Sequence, residues 1–501
     1  FDNHSPLFHL LMAPVLNFFG ERGDILLYMR LAVVPFYAGS LACLFAMVRS
    51  LSSARVAAWS TLVIGFWPVF MLTSTEFRTD CFWMLAWFAA VAVWCGGPLT
   101  WKRWAAVGVL VGLCFGGSMK TSLLLTSFLM AAVPTVLWRG FREGFGFLQG
   151  WGRSLAAFLG GVVVVPALTV AGFAWLDALG AMKYCIIEHN VVPGFRQSDH
   201  GQFLQHLALA AVGGALVYSV APQGRVAMQR AILFATGTLC IGLVESYWPL
   251  VTAQDFLPVV PLILAALVPT GFDLLQRFPV LAFETRAGLA VRTLFLAGLA
   301  AVLLVKDPLS CDNLAPFNQG LEVLLRLSTP DDYVMDAKGE TIFRRRPFYY
   351  VLEGVTRRRM KLGLIEDTIT HDCDRTNTCI FINNRMSRRN RSWVSRNYVE
   401  VANRVWVAGT VLEPVGEGRS RQFQVSRAAR YRIVSPEGPV ICRVNGQECD
   451  GAIELRPGIT YEVEYDAVTP LAVVYAQAVE AGLNPFTTHN RVLLIDRKAQ
   501  M

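Results

Sequence analysis

The sequence predicts a polytopic α-helical membrane protein with a C-terminal soluble α/β region and a small antiparallel β-domain. Three observations point there. Hydrophobic types make up 54% of the 501 residues and charged types 16%, whereas about a quarter of a soluble globular chain is charged. Apolar runs near 20 residues recur between short basic loops from Ile25 to Val305, and ordinary soluble sequence begins after Lys306. Beyond the Gly416–Gly418 break the apolar period becomes two. So much buriable surface excludes disordered and fibrous classes. The placement of the net +8 charge says more than its sum, and no nucleic-acid partner is expected.

A helix needs roughly 20 residues to cross a ~30 Å hydrocarbon core. Ten candidate spans fit: 25–48, 55–74, 79–96, 102–118, 120–138, 154–176, 204–221, 228–247, 255–273 and 287–305. Only Ser118–Met119 separates the fourth from the fifth, which implies a tight helical hairpin. Prolines inside spans (Pro35, Pro68, Pro134, Pro166, Pro258, Pro261) are tolerable where neighbouring helices satisfy the freed carbonyls.

Orientation follows from Lys and Arg in alternate loops. One set carries eleven cations: Arg49 and Arg55; Lys102 and Arg103; Arg139, Arg142 and Arg153; Arg225 and Arg230; Arg277 and Arg286. The opposite loops carry single cations (Arg78, Lys120, Lys183, Arg196) and most carboxylates. The first set is therefore expected in the cytoplasm. The N-terminal segment and everything after Lys306 then lie on the periplasmic or extracellular side of an inner (plasma) membrane. Phe1 is not an initiator methionine, and an external N-terminus without a signal sequence suggests that a first transmembrane helix precedes it.

Three domains are expected: residues 1–305 in the membrane, an extracytoplasmic α/β domain over 306–413, and a β-sandwich-like domain over 417–501. In the second, Phe317–Ser328 and Leu362–Thr370 read as helices, and Tyr333–Asp336 and Cys379–Asn383 as strands. In the third, the alternations Tyr431/Ile433, Val440/Cys442/Val444, Tyr461/Val463/Tyr465 and Val473/Tyr475 are separated by turn sequences. Asn445-Gly446 sets Cys442 opposite Cys449 across a two-residue hairpin, within disulfide reach. Cys373 and Cys379 are a second candidate pair, and an external compartment permits both bridges.

Ionisable groups at membrane depth cost several kcal/mol unless they face a cavity or a partner. The external side gathers Asp2 and His4 at the start of the chain; Glu76, Arg78 and Asp80 between the second and third spans; Lys120 at the tight hairpin; Glu188 and His189 in the longest loop; and Gln254 and Asp255 before the ninth span. Bland readings stand beside each. Glu76, Arg78 and Asp80 form a self-neutralising loop, Lys120 is a snorkelling anchor, and adjacent Glu188-His189 is a weak metal signal. No bound metal is required. The triplets Arg344–Arg346 and Arg357–Arg359 read as a solvated face or a contact with anionic headgroups. Co-location on one face is what singles the external set out as a candidate site.

These segments resemble the GT-C superfamily of membrane glycosyltransferases, close to the protein O-mannosyltransferase and aminoarabinose transferase group. Phe1-Asp2-x-His4-x-Pro6-Leu7 resembles the family's Asp-x-His-Pro-Pro-Leu segment, with Ser5 in place of a proline. Arg78-x-Asp80, Ser118-Met119-Lys120-Thr121 after a Gly-rich helix, and Gln254-Asp255-Phe256-Leu257-Pro258-x-x-Pro261 are similar to three further family elements in the same order. Together they cover residues 1–273. The family's catalytic acid lies in the first external loop upstream of the His-Pro motif, a stretch that this sequence does not include.

The resemblance implies transfer of a hexosyl or pentosyl group from a polyprenyl-phosphate donor to an acceptor hydroxyl on a lipid, protein or glycan, by single displacement with inversion. The lipid-linked sugar is a substrate; no cofactor is expected. Asp2, or the acid upstream, is the expected base and His4 orients a substrate. Arg78 and Lys120 meet the phosphate, while Asp80 and Glu76 hold those cations; Glu188, His189, Gln254 and Asp255 support the site. Two other readings remain open. One is a transporter or flippase for lipid-linked sugars, which predicts repeats and interrupted helices meeting at the midplane. The other is a glycan-binding β-domain on a membrane anchor.

Overall fold

A computed structural model describes residues 5–98, 100–144, 151–192, 200–306, 314–382, 386–412, 420–465 and 469–487. The chain forms two compact units. One comprises the helical region up to residue 312 without Phe19–Leu27; the other comprises that short segment and the residues after 312.

The helical unit contains α1 (Leu7–Phe19), α2 (Ile25–Leu51), α3 (Ala54–Gly65), α4 (Pro68–Ser74), α5 (Thr79–Cys95), α6 (Trp101–Gly117), α7 (Thr121–Glu143), α8 (Trp151–Trp175), α9 (Leu179–Lys183), α10 (His200–Val220), α11 (Arg225–Tyr247), α12 (Val260–Leu275) and α13 (Arg286–Val305). Every apolar run expected to span lies on these helices. Among the described residues, six helices are long and apolar enough to cross a bilayer, or seven if α3 and α4 count as one broken span; α5 and α12 are shorter apolar helices. The α3–α4 break bends the chain by 70°. Its cause is Pro68, which has no N–H to give and holds Trp67 extended at ψ 118°.

Burial divides these helices. α5 is apolar all round and buried along most of its length, with Trp83, Met84 and Phe88 fully enclosed. α11 is also largely enclosed, whereas α8 presents Leu155, Leu159, Val163 and Leu168 outward. In water that exposed apolar face would be a liability; in hydrocarbon it is the expected surface.

Two expectations change here. Ser118 is extended (φ −156°, ψ 134°), and α6 leaves the link to pack along α5 and α8 while α7 packs along α11. The short link therefore joins diverging helices instead of a closed hairpin. α6 and α8 touch backbone to backbone: a Cβ on Gly161 would lie 2.5 Å from the Ala105 carbonyl oxygen. Arg230 is not a solvated loop cation. It lies inside α11 and is 1% exposed, paired with Asp273 of α12 and donating to the Leu51 carbonyl at the end of α2 (2.8 Å).

The second unit mixes α14 (Ala315–Leu327), α15 (Gly354–Lys361), α16 (Ile369–Arg375), α17 (Arg388–Asn397) and α18 (Ala476–Glu480) with twelve strands: β1 (Val334–Met335), β2 (Ile380–Ile382), β3 (Tyr398–Ala402), β4 (Val405–Leu412), β5 (Ser420–Phe423), β6 (Ala429–Ser435), β7 (Gly438–Pro439), β8 (Cys442–Val444), β9 (Gln447–Cys449), β10 (Ile453–Leu455), β11 (Tyr461–Glu464) and β12 (Leu471–Tyr475). One sheet runs β1-β2-β4-β12-β6-β10, with β3 on β4 and β7 on β6; the other runs β5-β11-β8-β9. The stretch expected to separate two domains does not interrupt the first sheet, because β4 pairs with β12 from Leu412↔Leu471 to Gly409↔Val474. Both sheets share one core that includes Met335, Phe381 and Tyr398 as well as Phe423, Tyr461 and Val463. The helix expected over Leu362–Thr370 is instead the gap between α15 and α16, where Gly363 at φ +71° ends the first helix. Within this unit Arg344 donates to Glu21 at 2.7 Å, which ties the Phe19–Leu27 segment to the C-terminal residues.

The β8–β9 hairpin has the expected register. Asn445 and Gly446 both take positive φ (+50° and +78°), as a two-residue turn of this hand requires, and Cys442 lies opposite Cys449. These two, Cys373 and Cys379 are free cysteines.

Candidate active site

Three short segments of the helical unit converge. The α4–α5 link and the first turn of α5 carry Glu76, Arg78 and Asp80, the α6–α7 link carries Lys120, and a single 3₁₀ turn before α12, Ala253–Phe256, carries Gln254 and Asp255. Each is a place where a helix starts. A carboxylate there meets unsatisfied N–H groups and the positive end of the peptide dipoles.

Asp255 is fixed by its own turn. The Thr252 N–H and hydroxyl both donate to Oδ2, at 2.6 and 3.1 Å, and the Thr252 side chain accepts from the Asp255 N–H in return, which completes a capping box. That leaves Oδ1 for the Lys120 ammonium, which pairs with it directly. Lys120 Nζ also donates to Asp80 Oδ1 at 3.4 Å, and Arg78 Nε donates to Asp80 Oδ2 at 3.2 Å. On the flank, the Gln254 amide donates to Glu76 at 3.0 Å. The side chains of Asp80 and Asp255 are 3% and 1% exposed and that of Lys120 14%, whereas Arg78 is 38% exposed. Two carboxylates thus balance two cations in a buried row, and Arg78 is its accessible end.

Two indoles complete the surroundings. Lys120 Nζ lies 5.7 Å from the Trp83 ring centroid and 5.8 Å from that of Trp248, near enough for the ring faces to attract the charge. Trp83 is held in turn, its Nε1–H donating to the Thr121 hydroxyl at 3.0 Å, which donates to the Ser118 carbonyl at 2.6 Å. Lys120 is therefore a positioned ammonium, not a free anchor at a helix end.

The structure brings together Glu76, Arg78, Asp80, Lys120, Gln254 and Asp255. Glu188 pairs with Lys183 at 2.8 Å and His189 sets its ring against Tyr184, both local contacts in the π-helical turn after α9. Asp2 and His4 lie outside the described residues. Sequence reasoning quoted Thr121 only as part of the Lys120 motif and missed Trp83, Trp248 and Thr252. Only the last had a readable signal, the Thr-x-x-Asp spacing of Thr252 and Asp255. Among the described residues, no three His, Cys, Asp or Glu side chains come together as a metal-ligand set.

Chemically, the row presents an ammonium and a guanidinium beside carboxylates that accept from them. Such a pair of cations can neutralise an incoming or departing oxyanion. Asp80, which accepts from both, is arranged to hold them.

Fold and site together define a multi-pass helical membrane protein with a soluble α/β unit and one buried charged row at the ends of its helices. Among solved structures the chain is similar to ArnT from Cupriavidus metallidurans bound to undecaprenyl phosphate, at 14% identity and a TM-score of 0.41, over 65% of this chain and 60% of that one. It is also similar to an oligosaccharyltransferase from Archaeoglobus fulgidus tethered with an acceptor peptide, at 12% identity and a TM-score of 0.41, over 76% of this chain and 61% of that one. The same archaeal enzyme in its apo form aligns at a TM-score of 0.39. The matched part of each is about three-fifths of its length. No family model and no curated protein sequence matches the chain.

Proposed function

We propose that this protein transfers a sugar from a polyprenyl-phosphate donor to an acceptor hydroxyl at the membrane surface. The observation that carries the reading is Lys120, held by Asp80 and Asp255 with Arg78 beside them. In the reaction, the bond from the anomeric carbon to the phosphate oxygen breaks as the acceptor oxygen bonds to that carbon. The electron pair leaves with the polyprenyl phosphate, whose charge Arg78 and Lys120 neutralise. The acceptor's proton goes to a carboxylate, for which Asp2 is the candidate, with His4 orienting the substrate. Asp80 positions both cations, Asp255 holds Lys120, and the Gln254–Glu76 contact keeps two of the segments in register. The motifs around Asp2, Arg78, Lys120 and Gln254 support the same chemistry. An inner-membrane setting with the row facing the periplasm fits the loop charges.

The test is release of labelled sugar from a polyprenyl-phosphate donor by the full-length protein in detergent or proteoliposomes. Asp80→Asn and Lys120→Ala should each abolish transfer while the protein still inserts and folds. Full activity in both variants overturns the site assignment. Donor movement across the vesicle wall without sugar release would favour a flippase.

A further inference from the structure

The helical unit contains a cavity of about 420 Å³ away from the charged row. Its lining comes from α5, α6, α7, α8 and α11. α5 contributes Trp87 to Trp94, beyond its first two turns, and α11 contributes Arg225 to Ile232, remote from its end at Trp248; α7 contributes Leu125 to Leu137, beginning one turn past Lys120. The volume lies within the range of about 300–1,000 Å³ that small-molecule sites occupy. The walls are almost wholly apolar, and a cavity of this kind takes hydrocarbon in preference to water.

Arg225 belongs to the lining, and Lys102 and Arg153 stand close in sequence to its residues Trp104, Trp151 and Ser154, so the helix ends that form this rim are basic and aromatic. Arg225 donates from Nη2 to the carbonyls of Trp94 and Cys95 at 3.4 and 3.2 Å, which places its guanidinium at the end of α5. The Arg153 guanidinium lies 4.8 Å from the Trp101 ring centroid, and the Lys102 ammonium 5.8 Å from the same ring. The Trp104 and Trp151 ring centroids are 6.3 Å apart, with the rings tilted at 59°. Neither Asp nor Glu occurs in 81–118, 151–176 or 222–244, the stretches that supply these groups. The contrast with the other end is chemical: there each cation has a carboxylate, and here positive charge lies beside indoles, the combination that favours a membrane–water interface.

We infer that this cavity holds one hydrocarbon chain of an anionic phospholipid from the leaflet at that end, its phosphate diester lying against Arg153, Lys102 and Arg225. Charge complementarity selects the occupant. A zwitterionic lipid fills the apolar part equally well but carries its own ammonium to a rim that already has three cations. Basic pockets between transmembrane helices discriminate headgroups in this way. The site is separate from the proposed donor site and holds whatever chemistry occurs there.

The test is native mass spectrometry of the full-length protein released from nanodiscs that contain phosphatidylglycerol, phosphatidylcholine or a polyprenyl phosphate. Wild-type protein should retain one phosphatidylglycerol in preference to phosphatidylcholine by roughly ten-fold or more. Lys102→Gln with Arg153→Gln, both at the exposed rim, should remove the preference and leave a weak adduct of either lipid. Ala132→Phe, which narrows the cavity, should remove the adduct altogether; if that variant misfolds, the rim variant still decides. Equal retention of the two phospholipids by wild type overturns the inference. So does displacement of phosphatidylglycerol by the polyprenyl phosphate, which would make the cavity part of the carrier's path.

Discussion

Lys120 is a residue whose neighbours leave little room for exchange. Its ammonium is shared by Asp80 and Asp255 and flanked by Trp83 and Trp248, so Lys120→Met leaves two buried carboxylates facing each other. Breaking a buried pair from one side costs about 3–5 kcal/mol. The expected result is a large fall in unfolding temperature that Asp255→Asn in the same chain partly restores, read as a double-mutant cycle in detergent. At the same scale, burial pushes the Cys373, Cys379 and Cys442 thiols in the soluble unit up from 9.0 to about 12. Because the folded values are raised, these thiols favour folding below pH 9 and cost stability as pH rises from there toward 12. Alkylation at pH 8 should therefore be slow in the folded protein and fast after denaturation, measured by mass spectrometry of labelled peptides. Each ionisable member of the charged row was visible in the sequence as a costly polar residue on one side of the membrane. The pairing was not, since Lys120 and Asp255 are 135 positions apart and one sequence holds no record of which residues meet. The two indoles were hidden for another reason: Trp83 and Trp248 read as ordinary aromatic residues of apolar segments.

At the scale of elements, apolar runs foretold the helices closely, because a lipid-facing helix must be apolar along its whole length. Relations between helices were less legible. The α6–α8 contact depends on absent side chains, and hydropathy does not register what a missing Cβ permits. Gly161→Ala should lower the unfolding temperature, at a cost of about 1–3 kcal/mol for overpacking, since the added Cβ meets the Ala105 carbonyl oxygen and the Val109 nitrogen. Gly160→Ala is the matched control, having open space where its Cβ would go, and should leave the transition unchanged. Arg230 shows the converse limit. A cation near a helix start reads as loop charge, yet Asp273 from the facing helix lets it stay buried. In the soluble unit α17 escaped notice because it is rich in arginine and short of apolar positions, with Val394 as its buried apolar anchor.

For the whole molecule, composition separates the apolar region from the ordinary sequence after Lys306, and the two compact units divide a few residues later, at 312/313. The division at 413–417 was read from turn residues and a change of period, which mark a change of local structure but not of partnership. The pairing of β4 with β12 has a practical consequence. A chain stopped after Leu412 would not be the same protein short of a detachable module. It would have an open strand edge at Gly409–Leu412, where β12 now supplies the hydrogen bonds, and unpaired edges recruit other chains. Such a truncation is expected to aggregate during expression, as size-exclusion chromatography would show, even with every residue of the charged row intact.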